Sequence, residues 1–557
     1  MSTAVVSRLR GGAGIVGRGV SLATSHVVRS LAVIVALQLV LALWLISSVA
    51  HNGWLTYQGG DQMWLVTSGW LLAHGTLATP VVSQGWPVVV APLTWITGST
   101  TTDLLPYTTV LQVAILGPLG TLAVYDIGAR IAGRAAGLWC ALVLVLAPYL
   151  ATPLFVDRYR ERWTDQFLVQ ATGFTQLADY PSTIVVLICT ALVLRSLAAG
   201  ATREAVLAGT LAGFAVGLKP SNALFLAGPL LAYALARRWR VAVWFGLAMV
   251  PALVTLTLWK YRGLGTLPFI APDSTRHALG VGKPDLPLGS YWLDAPFKVS
   301  EWKRNMGNLR EFFFSARLAQ WAPFAGALAV WQRSRPAAVL ILGSTLAYLL
   351  TKGSTFVAGI ENGSFWRLVM PALPLYMLLV AAIPLLVPTL PRRLGPWLQP
   401  APIGWRPSRN LIVVVAVVLA VVPFAFIVAG SPSKGTGKSM VVNEILIPVD
   451  RSEVSVVATR GTGGVRLAWT DNTRNAATFY HVYRTGGPGP DSECSTAPAQ
   501  RCELRMDEIA VTRARTWLDP SPVAGATYRV GVAANWVNDT TQGDVFVLSP
   551  PVGTPAG

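Results

Sequence analysis

Two stretches, "SLAVIVALQLVLALWLISSVA" at Ser30–Ala50 and "LIVVVAVVLAVVPFAFIVA" at Leu411–Ala429, run for about twenty residues without a charge. In hydrocarbon no water satisfies a backbone N–H or C=O, so such a run must close its hydrogen bonds within itself as a helix. Nine more apolar runs follow the same rule: Leu104–Val124, Ala135–Phe155, Ser182–Leu197, Ala205–Leu218, Ala223–Ala236, Val241–Trp259, Ala319–Trp331, Ala337–Leu350 and Leu368–Val387. The shorter ones borrow residues from their flanks to reach a span's length. The chain is expected to be a polytopic α-helical membrane protein with about eleven transmembrane helices. The first run is too long for a cleaved signal peptide, and no small-residue cleavage site follows it.

Of 557 residues 53% are hydrophobic and only 13% charged, well below the quarter usual in soluble domains. Arginine sets the orientation, because short cytoplasmic loops concentrate Lys and Arg. With the N-terminus inside, every inner loop is basic: Arg8 to Arg29, Arg130 and Arg134, Arg195 and Arg203, Arg237 to Arg240, Arg333 and Arg335, and Arg392 to Arg409. The expected topology is N-in, C-out, in the cell (plasma) membrane, with the C-terminal domain extracytoplasmic. The net charge of +18 lies wholly in the membrane part, since residues 431–557 hold twelve basic and twelve acidic residues. It is a topology signal with some contact to anionic lipid headgroups, and no nucleic-acid motif accompanies it.

The organisation expected is a transmembrane domain over 1–430 with long outer loops at 51–103, 156–181 and 260–318, a Ser/Gly/Lys linker over 431–445, and a β-sandwich over 446–557. The sandwich is read from alternating runs such as "EVSVVAT", "VRLAWT" and "TFYHVYRT" between Gly/Asn/Pro turns. The stretch "VRLAWTDNTRNAATFYHVYR" resembles the B and C strands of a fibronectin type III domain, with Trp469 in the core and Tyr483 on the C strand. Cys494 and Cys502 share one outer loop and are expected to bond, whereas Cys140 and Cys189 lie in spans as small apolar residues. No Cys or His has metal-ligand spacing.

Certain motifs follow one another in a telling order. After the first span comes "GGDQMWLVTSGWLLAHGTLATP", then "GWPVVVAPLTWITG", "YDIGARIAGRAAGLWCALVLVLAPYLATPLF", "GLKPS" at Gly217–Ser221, and late in the chain "ENGSFWRLVMPALPLYMLLVA". The series resembles the GT-C superfamily of membrane glycosyltransferases, in the branch of protein O-mannosyltransferases and lipid A aminoarabinose transferases. The resemblance covers roughly residues 30–390. It implies an inverting enzyme that moves a sugar from a polyprenyl-phosphate donor to an envelope glycan, lipid or protein on the outer face. Asp61 then matches the carboxylate that acts at the acceptor. Gln62 departs from the Glu that often follows, and one carboxylate with an amide makes a poor hard-cation site, so no metal ligand is assigned and a divalent cation stays open.

The chemistry needs a base for the acceptor hydroxyl and positive charge for the leaving phosphate. Asp61 is the expected catalytic residue. Asp179, Lys219, Arg367, Trp64 and Glu361 are the expected substrate-binding residues, with Asp179 bordering the sugar cavity by resemblance and Lys219 and Arg367 meeting the phosphate. Each has a plainer alternative: Asp61 as a helix cap before an amphipathic run whose Trp64, Trp70 and Leu71 rest on the membrane surface, Lys219 snorkelling from a turn, and Arg367 paired with Glu361. Asp157, Glu161 and Asp165 with the arginines between them form a self-paired surface helix or further site carboxylates. The stretch around Trp292, Trp302, Lys303, Arg304 and Arg310 has the make-up of an interfacial lid. A non-catalytic scaffold, or a flippase or partner in envelope polysaccharide assembly, is the alternative function. A secondary transporter fits less well, because the span cores lack charge and the halves do not repeat.

Overall fold

The structure is a computed structural model that describes residues 20–48, 60–154, 160, 167–265, 299–312, 317–354, 364–387, 407–434, 437–473, 478–534 and 545–554. Over its described residues each of the eleven apolar runs falls almost wholly on helix. In chain order the helices are α1 (Val27–Ser48), α2 (Asp61–Ala73), α3 (Gly85–Thr97), α4 (Thr101–Thr109), α5 (Gly117–Ala151), α6 (Asp179–Ala199), α7 (Thr202–Leu218), α8 (Ala227–Leu235), α9 (Trp239–Leu264), α10 (Val299–Phe312), α11 (Arg317–Trp331), α12 (Arg335–Lys352), α13 (Ser364–Val369), α14 (Leu373–Ala382), α15 (Arg409–Ala416) and α16 (Val422–Ala429). Among the described residues six helical stretches are long and apolar enough to cross a membrane, and one of them, Thr101–Ala151, is 51 residues long. That stretch breaks at Ala132 and Gly133, where Gly133 has φ 87° and ψ 176°, a backbone region open essentially to glycine alone. Two of the eleven runs therefore lie on either side of one glycine.

Small residues set how closely the helices approach. Gly209 and Gly213 on α7 face α9, and a Cβ on Gly209 would stand 2.1 Å from the Phe245 carbonyl oxygen. One turn further, Gly217 lies against Gly85 of α3. This stripe of glycines at every fourth position brings three helices together by backbone contact, as small-residue stripes do in membranes. It also fixes where α7 ends, and Lys219 is the residue after that end. At the opposite end of the bundle, buried Asp126 takes the Nε of both Arg130 (2.8 Å) and Arg195 (2.9 Å), joining α5 to α6. Two arginines read as loop charges thus share a buried carboxylate.

The C-terminal part is all β. One sheet runs β11 (Thr516–Asp519), β6 (Gly464–Asp471), β5 (Val454–Gly461); a second runs β10 (Asp507–Thr512), β7 (Thr478–Arg484), β12 (Thr527–Ala534), β13 (Val545–Leu548), with β14 (Val552–Gly553) on β12. Trp469 and Tyr483 are both buried in the core between them, and Trp469 meets Tyr480 edge-on at 5.4 Å. A third sheet is ordered β4 (Ile445–Pro448), β3 (Ser439–Val442), β9 (Cys502–Leu504), β8 (Ser492–Cys494). The segment read as a linker over 431–445 is therefore corrected: it holds β3, the start of β4, and β2 (Ser431–Pro432), which pairs in parallel with β1 (Thr76–Leu77). Four-residue strands give too short an alternation to register as strand from sequence, and the Ser/Gly/Lys composition before them reads as flexible.

Cys494 and Cys502 are bonded and close the β8–β9 hairpin, eight residues apart. Replacing both by Ser is expected to lower the stability of the β-domain by about 2–3 kcal/mol, the loop-closure value for so small a ring. Thermal unfolding followed by tryptophan fluorescence checks this, and an unchanged β-domain transition counts against it.

Candidate functional site

Four of the residues singled out in the sequence meet at one end of the bundle. Asp179 is the first residue of α6, where a helix N-terminus favours a carboxylate. Its Oδ1 accepts from Lys219 Nζ and its Oδ2 from Arg367 Nε at 3.2 Å. Lys219 Nζ also donates to the Arg367 carbonyl at 3.0 Å. Arg367, on α13, reaches outward with Nη2 to Asp61 Oδ2. A chain of alternating charge results, Lys219, Asp179, Arg367, Asp61, drawn from four separate segments. The inner two side chains are 14% and 3% exposed, Arg367 is 32% and Asp61 51%. The inner pair is thus a buried anchor, and the outer carboxylate is open to an incoming molecule.

Local structure holds each member. Asn222 fixes the turn after Lys219: its amide Nδ2 donates to the Ala215 carbonyl at 2.8 Å, and its Oδ1 accepts from the Tyr348 hydroxyl at 2.7 Å. Burial pulls the Lys219 ammonium below its ordinary range; Asp179 opposes this, while Arg367 and Lys352 reinforce it. Lys352, 8% exposed at the last turn of α12, is therefore a third cation close by.

Asp61 is not a capping residue. The cap position of α2 is Gly60, at φ 69°, and among the described residues no side-chain cap bond is made there. Gln62 is fully buried, and its Oε1 accepts from the Gln176 backbone N–H at 2.6 Å. Gln112 donates to the Thr175 carbonyl at 2.6 Å, and Gln176 Nε2 to that of Thr101 at 2.8 Å. These glutamines tie the segment before Asp179 to the start of α2, the start of α4 and the turn of helix that follows α4. Sequence reasoning missed them, because a glutamine near an outer loop carries no sign of burial; Gln62 drew notice only for standing where a Glu was expected.

Trp64 lies elsewhere. It is 5% exposed, its indole N–H donates to the Glu444 carbonyl at 2.9 Å, and it belongs with Trp70 and Leu71 to a cluster completed by Val441 and Leu446 of the β-domain. The alternative that placed these three side chains on the membrane surface is corrected: protein covers them. Glu361 lies outside the described residues, as do Asp157, Glu161, Asp165 and Trp292. Helix α10 of the expected lid leans on the end of α12, with Asn305 Nδ2 donating to the Gly353 carbonyl at 2.8 Å, while Lys303 and Arg304 face outward. Among the described residues no group of three or more His, Cys, Asp or Glu is placed to hold a metal ion.

Beside the charged chain lies an apolar hollow of about 110 Å³. Tyr149, Phe167, Tyr180, Ile184, Met370 and Met377 are among its walls, and Tyr180 and Met370 directly follow the Asp179 and Arg367 segments.

No protein-family model matches the chain, and no curated protein matches it. Among solved structures it is similar to ArnT from Cupriavidus metallidurans bound to undecaprenyl phosphate, at 16% identity and a TM-score of 0.40, over 73% of this chain and 77% of that one. It is also similar to the oligosaccharyltransferase of Archaeoglobus fulgidus in the apo form, at 13% identity and a TM-score of 0.39. A third is archaeal oligosaccharyltransferase AglB from Archaeoglobus fulgidus in complex with an inhibitory peptide and a dolichol-phosphate, at 13% identity and a TM-score of 0.37. Both archaeal matches cover 73% of this chain and 56% of theirs.

Proposed function

We propose that the chain is an inverting glycosyltransferase that takes a sugar from a polyprenyl-phosphate donor and passes it to an envelope glycan, lipid or protein on the outer face of the cell membrane. The observation that carries this reading is the convergence of Asp61, Asp179, Lys219 and Arg367 at one end of an apolar bundle, next to an apolar hollow. A ligand with an anionic head and a hydrocarbon tail suits that pairing. Lys219 and Arg367 share the buried carboxylate of Asp179, so these three groups together carry a net positive charge that suits a phosphate.

In this reading the phosphate engages Lys219 and the guanidinium of Arg367, and Asp61 is released from its ion pair. The acceptor oxygen attacks the anomeric carbon, the bond from that carbon to the phosphate oxygen breaks, and polyprenyl phosphate leaves. Asp61 receives the hydroxyl proton, and a single displacement inverts the anomeric centre. Lys219→Ala and Arg367→Ala are expected to raise KM for the donor more than they lower kcat, because the phosphate is present in both ground and transition states. A fall in kcat at unchanged KM speaks against phosphate contact.

The same reading has eleven spans, the N-terminus inside and the β-domain outside. The backbone bonds between Gly75 and Ser431 and between Leu77 and Ser433 (both 2.8 Å) keep the first outer loop and the β-domain on one side. A reporter fused after Gly557 is expected to be active only if it matures outside the cytoplasm. A reporter active only in the cytoplasm reverses the orientation and every site assignment with it.

A further inference from the structure

We infer that the β-domain is a working part of the site: it grips α2 and thereby sets Asp61 against Arg367. The inference rests on the reading of Asp61 given above. A helix of thirteen residues is marginal alone in water, so α2 depends on what it packs against. Met63 enters the β-domain's own core beside Met440, Val442, Ile445 and Ile447. Trp64, Trp70 and Leu71 close over Val441 and Leu446 from the same hairpin.

Two directional bonds then set the helix's position along the hairpin. Trp64 Nε1 donates to the Glu444 carbonyl at 2.9 Å, and Thr67 Oγ1 to the Leu446 carbonyl at 3.1 Å. Glu444 offers its carbonyl from a two-residue turn in which Asn443 and Glu444 have φ 48° and 68°, the left-handed pair that a tight hairpin uses. Two cations finish the grip, Arg451 over Trp70 at 4.9 Å and Arg501 over Trp64 at 5.8 Å. The β8–β9 region is anchored to the bundle in turn, by Ala499 N–H to the Gly263 carbonyl at 3.1 Å. Asp61 stands two residues before the first gripped side chain, so the grip acts together with the Gln62–Gln176 bond to set where its carboxylate falls.

The test is the double variant Trp64→Phe with Thr67→Val, which removes both bonds and keeps most of the volume, in the full chain in lipid nanodiscs. Amide hydrogen exchange across 61–73 is expected to speed about tenfold. Sugar transfer is expected to slow by about tenfold to a hundredfold at unchanged donor KM, as a misplaced reacting group does. In an Asp61→Asn background the same pair should add almost no further loss, because positioning a residue that cannot take a proton has no further value. Wild-type exchange in α2 overturns the grip, whether or not the chain transfers sugar. Faster exchange with wild-type transfer, or full additivity with Asp61→Asn, overturns the positioning of Asp61. If the unaltered chain transfers no sugar, the proposed activity fails separately; the inference then requires that exchange over 364–372 rise together with that of α2, and a rise in α2 alone contradicts it.

Discussion

Asp61→Asn is expected to slow sugar transfer by roughly two to four orders of magnitude, the usual contribution of a positioned proton acceptor, while the protein folds and still binds the carrier. The expectation is sharp because the alternative of a helix cap no longer competes: Gly60 holds the cap position, and the Asp61 carboxylate bonds Arg367 instead of the helix backbone. An asparagine has nearly the same shape and its Oδ1 still accepts from Arg367, but it takes up no proton. The assay is transfer from a radiolabelled polyprenyl-phosphate sugar in membranes carrying each variant at matched expression. Wild-type transfer by Asp61→Asn would remove Asp61 as the base and direct the search to Asp179, Asp157 and Asp165.

Asp179→Ala is expected to have the largest effect on stability. The Asp179 side chain is 3% exposed and answers two cations, so its loss leaves buried Lys219 beside Arg367 without the carboxylate that both contact. Removing one partner of a buried pair typically costs about 3–5 kcal/mol. Most of that cost is the stranded cation, so adding Lys219→Ala to Asp179→Ala should recover a good part of it. Detergent-purified variants compared by thermal unfolding decide the matter. A wild-type midpoint for Asp179→Ala would mean that the inner pair is not an anchor.

The bundle was legible because an apolar run of membrane length has one solution, a helix. The break in the long helix at Gly133 agrees with the separation of two apolar runs read from composition. All four converging charges were singled out through the resemblance in motif order: an Asp past the first span, an Asp at a helix start, a Lys-Pro turn and an Arg before an apolar stretch. Nothing in spacing alone joins residues 306 positions apart, as Asp61 and Arg367 are. Trp64, Trp70 and Leu71 were misplaced for a related reason: an amphipathic stripe fits a lipid surface and a protein surface equally well, and only the fold says which is present. The third sheet escaped notice because its strands are three or four residues long, and the glutamines around Asp179 because a buried amide and a solvated one look alike in sequence.

Native mass spectrometry of the purified chain mixed with a polyprenyl phosphate tests the lipid-phosphate site most directly. One bound molecule is expected on the wild type, held through Lys219 and Arg367, and lost from the Lys219→Ala, Arg367→Ala double variant under the same conditions. Equal retention by both proteins, or no retention by the wild type, would contradict a carrier-phosphate site at these residues.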